Sequence, residues 1–348
     1  MPAINGVIYA LNFSTWKRRC MRLLFQDQEV RFIADTSKIA SGDTLAIWGM
    51  RDPDSRLPEN VNVVRIEDGF LRSVGLGADL IRPLSWVWDD LGIYFNATRP
   101  SRLEVILAST QFDQALLNRA RALRNSLVAA RLTKYNVGSA VWTRPDNARR
   151  IVLVPGQVES DASITYGAPS GLCSVRRNID LLKAVRQANP DAWVVYKPHP
   201  DVLAGLRAQG AEEASALQWC DEQVIDVSMS SMLDLVDEVH VITSLAGFEA
   251  LLRWKRVVCY GQPFYAGWGL TDDMAPLPRR TRRLTLDELV AGALILYPSY
   301  FNRRGDALIT PEAALEELTA WRDSRPGGIT PWWRKLFRVL LRRVVGVR

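Results

Sequence analysis

The sequence predicts an α/β protein built from two doubly wound, Rossmann-type units that face a cleft. Three observations carry this expectation. Short apolar runs alternate with amphipathic helical stretches, the alternation occurs twice, and a polar stretch, "TRPDNARR" (143–150), separates the two series. At 348 residues the chain is long enough for two cores of ordinary size. Its 48% hydrophobic and 24% charged residues are those of a folded globular protein.

In chain order, the first series offers strands at "GVIYAL" (6–11), "RFIAD" (31–35), "DTLAIWG" (43–49) and "NVVRIE" (62–67). One long helical stretch follows from Ser101 to Lys134, with apolar residues at three- and four-residue intervals. The second series starts at "IVLVPG" (151–156) and continues with "AWVVYK" (192–197), "EVHVIT" (238–243) and "RVVCYG" (256–261). Helical segments at 178–188 and 248–254 lie between them. The expected division is 1–145, 146–323, and a hinge with a basic tail at 324–348. Runs of this kind imply parallel sheets covered by helices, whose ligands bind beyond the carboxyl ends of the strands.

The net charge of +6 belongs to the tail. Residues 331–348, "PWWRKLFRVLLRRVVGVR", hold six basic and no acidic residues, leaving a neutral body of 38 basic against 38 acidic. A neutral body argues against a nucleic-acid-binding surface. In the tail, Trp333, Phe337, Leu340 and Val344 recur at helical spacing among Arg334, Lys335, Arg338, Arg342 and Arg343. This pattern suits an interfacial helix on an anionic membrane, with "SRPGG" (324–328) as a hinge. A helix docked on the protein's own core is the other reading. The chain shows no apolar run of the ~20 residues a spanning helix needs and no signal-peptide pattern at the start. The four cysteines (Cys20, Cys173, Cys220, Cys259) are widely spaced, as expected for reduced structural thiols in a cytoplasmic protein.

Four strand ends carry candidate chemistry. "RIEDGFLR" places Glu67 and Asp68 on a turn before Gly69, with Arg72 nearby. A buried carboxylate there can act as general acid or base, whereas a plain Asp-Gly turn with an ion pair explains the same residues. "VPGQVESDAS" offers Gln157, Glu159, Ser160, Asp161 and Ser163. The carboxylates here can be nucleophile, base or metal ligand, and Asp161 or Ser160 can equally be a helix cap. "YKPHPD" holds Lys197 and His199 between prolines, suited to an anionic phosphate or to a rigid turn around a structural histidine. "HVITSLAGFEALLRW" puts Thr243, Ser244 and Gly247 where a strand becomes a helix. That is a phosphate-site arrangement or a simple cap. Glu249 follows in the first turn, placed to accept from ribose hydroxyls. His240, inside an apolar run, reads as structural. There is no His/Cys cluster for zinc, and no metal is expected.

Taken together, "RIEDGFLRSVGLGADL", "DDLGIYFNATRPSRLE", "VPGQVESDASITYG", "YKPHPD" and "ITSLAGFEALLRWKRVVCYGQPFYAGWGLTDD" resemble the bacterial capsule-polysaccharide β-Kdo transferases of the KpsC type. The likeness runs in order over about residues 60–305, and "YGQPFYAGWGLT" is its most specific segment. Three motifs are also similar to those of bacterial sialyltransferases that use CMP-sugars. The resemblance implies a GT-B-like fold, with the first unit on the acceptor side and the second binding CMP-β-Kdo, and retention of the β configuration. It implies Asp161 as nucleophile, with Glu67 and Asp68 as acid/base candidates. It also implies His199 with Lys197 on the CMP phosphate, and Thr243 with Ser244 as the hydroxyl motif. Arg72 on the Kdo carboxylate, Glu249 on the ribose, and Gln157 and Gly247 at the CMP-sugar extend this set. No cofactor beyond the donor substrate is implied. The implied acceptor is a Kdo-containing glycan or glycolipid at the inner face of the inner membrane, met by a peripheral enzyme. Typical members carry two such modules and this chain has one, so a single linkage type is expected. A CMP-sialic acid or other nonulosonate transferase, and a catalytically silent membrane-associated assembly subunit, are the competing readings.

Overall fold

Each apolar run of the first series becomes a strand, and the fourth extends through the acidic pair. β1 (Ile8–Leu11), β2 (Val30–Ile33), β3 (Thr44–Trp48) and β4 (Asn62–Asp68) pair in parallel, with α1 (Thr15–Leu24) crossing between the first two. The computed structural model describes residues 6–52, 57–74, 82–134, 140–205, 207–275 and 277–324. The basic tail, and the hinge beyond Ser324, lie outside the described residues.

The first sheet is mixed rather than wholly parallel. β5 (Ser85–Asp89) joins β4 antiparallel, with Asp68 opposite Trp86. All five residues of β5 are buried, so it lacks the polar–apolar alternation that reveals a half-exposed strand. The single long helix expected after it is two, α2 (Arg102–Ser109) and α3 (Gln114–Ala129). The break is chemical: Thr110 turns extended, and the Asp113 carboxylate accepts from the Leu116 amide at 2.8 Å, starting a new helix.

The second sheet is parallel throughout. Its strands are β6 (Ile151–Pro155), β7 (Trp193–Lys197), β8 (Glu222–Gln223), β9 (Glu238–Val241), β10 (Arg256–Cys259) and β11 (Asp272–Asp273). They lie in the order β11-β10-β9-β6-β7-β8. α4 (Ala162–Gly167), α5 (Asn178–Ala188), α6 (Pro200–Leu203), α7 (Met229–Leu235) and α8 (Leu245–Leu251) connect them. Residues of β6 and β7 alternate between two apolar clusters, Leu153 and Val195 in one, Val152 and Val194 in the other. Both faces are therefore covered, as the continuous apolar runs require.

After α9 (Leu286–Val290) the chain returns to the first sheet. β12 (Pro298–Phe301) pairs antiparallel with β5, and β13 (Leu308–Ile309) with β12, before α10 (Pro311–Asp323). The first sheet thus runs β13-β12-β5-β4-β3-β1-β2. Two strands from the stretch assigned to the second unit (146–323) belong to the first sheet. Phe301, fully buried, packs edge-on against Trp86 at 5.4 Å and accounts for the return.

One apolar cluster joins the two sheets, containing Phe70, Val87 and Leu123 beside Leu153, Val195 and Phe248. Phe70 stands two residues after Asp68, beyond Gly69. Its ring lies 4.5 Å from that of Phe264 and 6.1 Å from that of Phe248, so the turn after β4 is wedged onto α8 and the segment after β10. Across the same seam, Glu104 of α2 accepts from Arg280 at 2.9 Å and from Arg279. All four cysteines are buried and unpaired. Among the described residues no helix is long and apolar enough to cross a membrane.

Candidate functional site

β6 lies between β9 and β7, and the chain leaves it on one side before returning on the other. The carboxyl ends diverge there, which makes it the ligand-binding crevice of a parallel sheet. Gln157, just past β6, fills the crevice. Its side-chain amide donates to Ser163 Oγ at 2.7 Å and Thr243 Oγ1 at 2.9 Å, while its own amide donates to Asn178 Oδ1 at 2.9 Å. Ser163 Oγ donates onward to Asp161 Oδ1 at 2.6 Å, and the Ser163 amide donates to the same oxygen at 2.8 Å. Asp161 is thus the N-cap of α4, and it is exposed to the cleft. Both bonds fall on Oδ1, which fixes the carboxylate's orientation and leaves Oδ2 without a described hydrogen bond. Glu159 serves as a tie: it accepts from the Asn178 amide at 2.8 Å and holds the loop to α5.

The "KPHP" segment is bound to this loop through Gly156. The Gly156 amide donates to Lys197 O at 2.7 Å, and a Cβ at Gly156 would meet Tyr196 Oη at 2.7 Å and His199 N at 3.1 Å. His199 caps α6, its Nδ1 accepting from the Asp201 amide at 3.1 Å with Pro200 at the first helical position. An accepting Nδ1 leaves the ring proton on Nε2. Burial, aided by the Lys134 charge, lowers the His199 pKa to about 4, so the ring is neutral. Asp161 acts on it with the opposite sign. Lys197 turns elsewhere: its ammonium reaches Ile225 O at 3.5 Å and is paired electrostatically with Asp226. Burial lowers it to about 8.

Opposite stands the acidic pair at the end of β4. Arg72 Nε donates to Asp68 Oδ2 at 2.6 Å, and Arg72 is buried, its other arm on Ser73. Glu67 Oε1 accepts only a neighbour's amide, that of Asp68 at 2.9 Å, among the described hydrogen bonds. Desolvation first, and then the Asp68 charge, push the Glu67 carboxyl up to about 7. Lys17 and Lys134 pull it the other way. Tyr94, half-buried against Phe70 and Phe264, feels Lys134, Glu67, Asp68 and Asp161 together; desolvation raises its phenol and keeps it protonated.

The start of α8 shows the capping alternative in its contacts. Ser244 caps it, its Oγ accepting from the Ala246 amide at 3.3 Å. The Gly247 amide is spent on Ser244 O at 3.1 Å. Gly247 is there because a Cβ would stand 2.3 Å from Tyr265 Oη, and that hydroxyl in turn donates to Ser244 O. Glu249 is buried and accepts from the Lys134 amide at 2.7 Å; burial raises its carboxyl to about 7. The "YGQPFYAGWG" motif is likewise structural: Tyr265 packs on Gly247, Phe264 on Phe70, and fully buried Trp268 beneath Arg280. His240 is buried beside Glu238, as expected of a structural histidine.

Gln157, Asp161 and Thr243 therefore form one bonded group, Glu67, Asp68 and Arg72 another, and His199 couples electrostatically to Asp161. Lys197, Ser244, Gly247 and Glu249 make contacts within the protein. Sequence reasoning missed Lys17, Tyr94 and Lys134, whose charges or hydroxyl act on these groups. Lys17 sits in an ordinary basic run, "WKRRC", and Lys134 ends an amphipathic stretch, so neither stands at an apolar strand end.

The chain matches the family described as capsule polysaccharide biosynthesis protein over residues 43–141 and 143–300. It is 45% identical over 325 residues to a capsule polysaccharide modification protein LipA of Neisseria meningitidis serogroup A, covering 90% of this chain and 46% of the relative. The chain thus spans about half the length of that relative. It is 41% identical over 312 residues to the lipopolysaccharide-processing protein LpsZ of Rhizobium meliloti, covering 84% and 70%. In structure it is similar to the β-Kdo 2,7 transferase of Thermosulfurimonas dismutans KpsC, with a TM-score of 0.74 and 40% identity over 90% of this chain and 99% of the other. The β-Kdo 2,4 transferase of the same KpsC aligns with a TM-score of 0.74 at 29% identity, with the same coverage.

Proposed function

Since the chain belongs to the capsule polysaccharide biosynthesis protein family, we propose that it is a retaining β-Kdo glycosyltransferase with a GT-B-like arrangement, acting in bacterial surface-polysaccharide synthesis. CMP-β-Kdo is the donor and a Kdo-bearing glycan or glycolipid the acceptor. The likeness to two β-Kdo transferases supports the sugar, and the bonded chain Gln157–Ser163–Asp161 at the β6/β9 crevice carries the mechanism.

Retention by double displacement needs a carboxylate beneath the anomeric carbon. Asp161 Oδ2 attacks C2 of Kdo, the C2–O bond to CMP breaks, and the electron pair leaves on the phosphate. Neutral His199 donates a hydrogen bond from Nε2 to that phosphate, with Lys134 adding positive charge. The acceptor hydroxyl then gives its proton to Glu67 and attacks C2, releasing Asp161. Glu67 takes this role rather than Asp68 because Arg72 already engages the Asp68 carboxylate at 2.6 Å, whereas burial gives Glu67 a proton affinity near neutrality. CMP is a good leaving group, so the scheme uses no metal. The basic tail at 331–348 holds the enzyme at the cytoplasmic face of the inner membrane.

Incubation with CMP-Kdo and intact-protein mass spectrometry tests this directly. A Kdo ester on the wild type, absent in Asp161→Ala, is expected. No adduct and no CMP release across Kdo-bearing acceptors overturns the reading, while normal transfer by Asp161→Ala overturns the nucleophile alone. Deletion of 329–348 is expected to abolish binding to anionic liposomes; unchanged binding removes the anchor.

A further inference from the structure

We propose that Lys17 is the acceptor-orienting cation of this site, receiving the carboxylate of an acidic acceptor sugar so that the sugar's hydroxyl faces Glu67. The inference rests on the transferase reading and assigns it a residue that no motif marked.

Lys17 lies in the first turn of α1, the helix that follows β1, and is partly buried. Its ammonium sits 2.9 Å from the centroid of the Trp48 ring, with Trp16 at 5.3 Å. Among the described hydrogen bonds and ion pairs it has none. Asp68 and Glu67 are the opposite charges that act on it, and Arg51 and Arg72 the like charges. Asp68 is already engaged by Arg72, and Glu67 holds a proton part of the time near neutrality. Lys17 is therefore a partly dehydrated cation without a direct counter-ion, pinned by an aromatic face beside the proposed base.

Its place in the helix makes the residue type harder to explain structurally. The first turn of a helix favours acidic side chains, and α1 has none there and no side-chain cap from Ser14. A lysine in that turn opposes the helix dipole, and partial burial adds to the cost. A carboxylate arriving at the ammonium removes both penalties. It arrives with the acceptor because Trp48 belongs to the first sheet and Lys17 to the helix that follows its β1, whereas Gln157, Thr243 and His199 gather at the second.

The test is a chemical double-mutant cycle. Wild type, Lys17→Met and Lys17→Arg are assayed with CMP-Kdo and a synthetic β-Kdo glycoside, and again with the glycoside's carboxyl-reduced analogue; binding of both glycosides is measured calorimetrically without donor. Loss of the charge is expected to raise KM and Kd for the acidic glycoside on the order of tenfold, with Lys17→Arg restoring most of it. Removing the lysine and reducing the carboxyl together are expected to cost no more than either alone. Additive losses, or a fall in kcat with a shifted pH profile and unchanged KM, overturn the assignment. Lysine-dependent binding without turnover leaves the cation in place and sinks the transferase reading. Turnover indifferent to Lys17 does the reverse, and a wild type that neither binds nor reacts sinks both.

Discussion

Glu67 and Asp68 are neighbours in sequence and differ in chemistry because of what touches each. Arg72 pairs with Asp68 at 2.6 Å, while Glu67 is left to desolvation and rises to about 7. A base must be ionised to act, so the rate should climb as pH rises through about 7 and fall below it. Glu67→Gln is expected to cut kcat by roughly 10²–10⁴-fold and flatten that limb, as read from pH–rate profiles. An unchanged profile would move the base to Asp68. Gly247 makes the complementary point about residues that resemble site residues. Gly247→Ala should lower stability by about 1–3 kcal/mol in a denaturation curve, with Tyr265→Phe relieving part of it, because the clash is with the tyrosine hydroxyl at 2.3 Å. The spacing "TSLAG" identified a helix start correctly but not that its glycine answers to a tyrosine eighteen residues on. Packing partners far apart in sequence leave no local signal.

At the scale of elements, the strands were legible wherever an apolar run met a turn motif, which covers β1 to β4 and the central strands of the second sheet. The strands that escaped, β5, β8 and β11 to β13, are either buried along their whole length or only two to four residues long. Neither kind carries a readable period. The division of the 101–134 stretch into α2 and α3 hangs on a single cap. Asp113→Ala is expected to cost about 1 kcal/mol in chemical denaturation, while Asp113→Asn should cost little. The same logic explains Asp161 and His199. Each is a helix cap by geometry, and capping fixes the orientation that the proposed chemistry would use.

For the whole molecule, the site depends on the two sheets meeting at a fixed distance, and that distance is set by aromatic rings. Phe70 stands just beyond the Gly69 that follows the acidic pair, and its ring packs against Phe248 and Phe264 of the opposite half. Phe70→Ala should destabilise by about 3–5 kcal/mol and reduce turnover beyond the loss of folded protein, since the proposed base shifts relative to Asp161. Full specific activity of the folded fraction would show that the wedge does not set the site. The return of β12 and β13 to the first sheet bears on how the molecule is made. On the ribosome, β5 emerges with its apolar "SWVWD" edge exposed, and its partner strand follows only after some 200 further residues, including the entire second sheet. The first half cannot close while it waits, and an uncovered edge strand invites pairing with other chains. Synthesis thus contains an interval of vulnerability, and a stall within it should yield aggregates rather than a folded half.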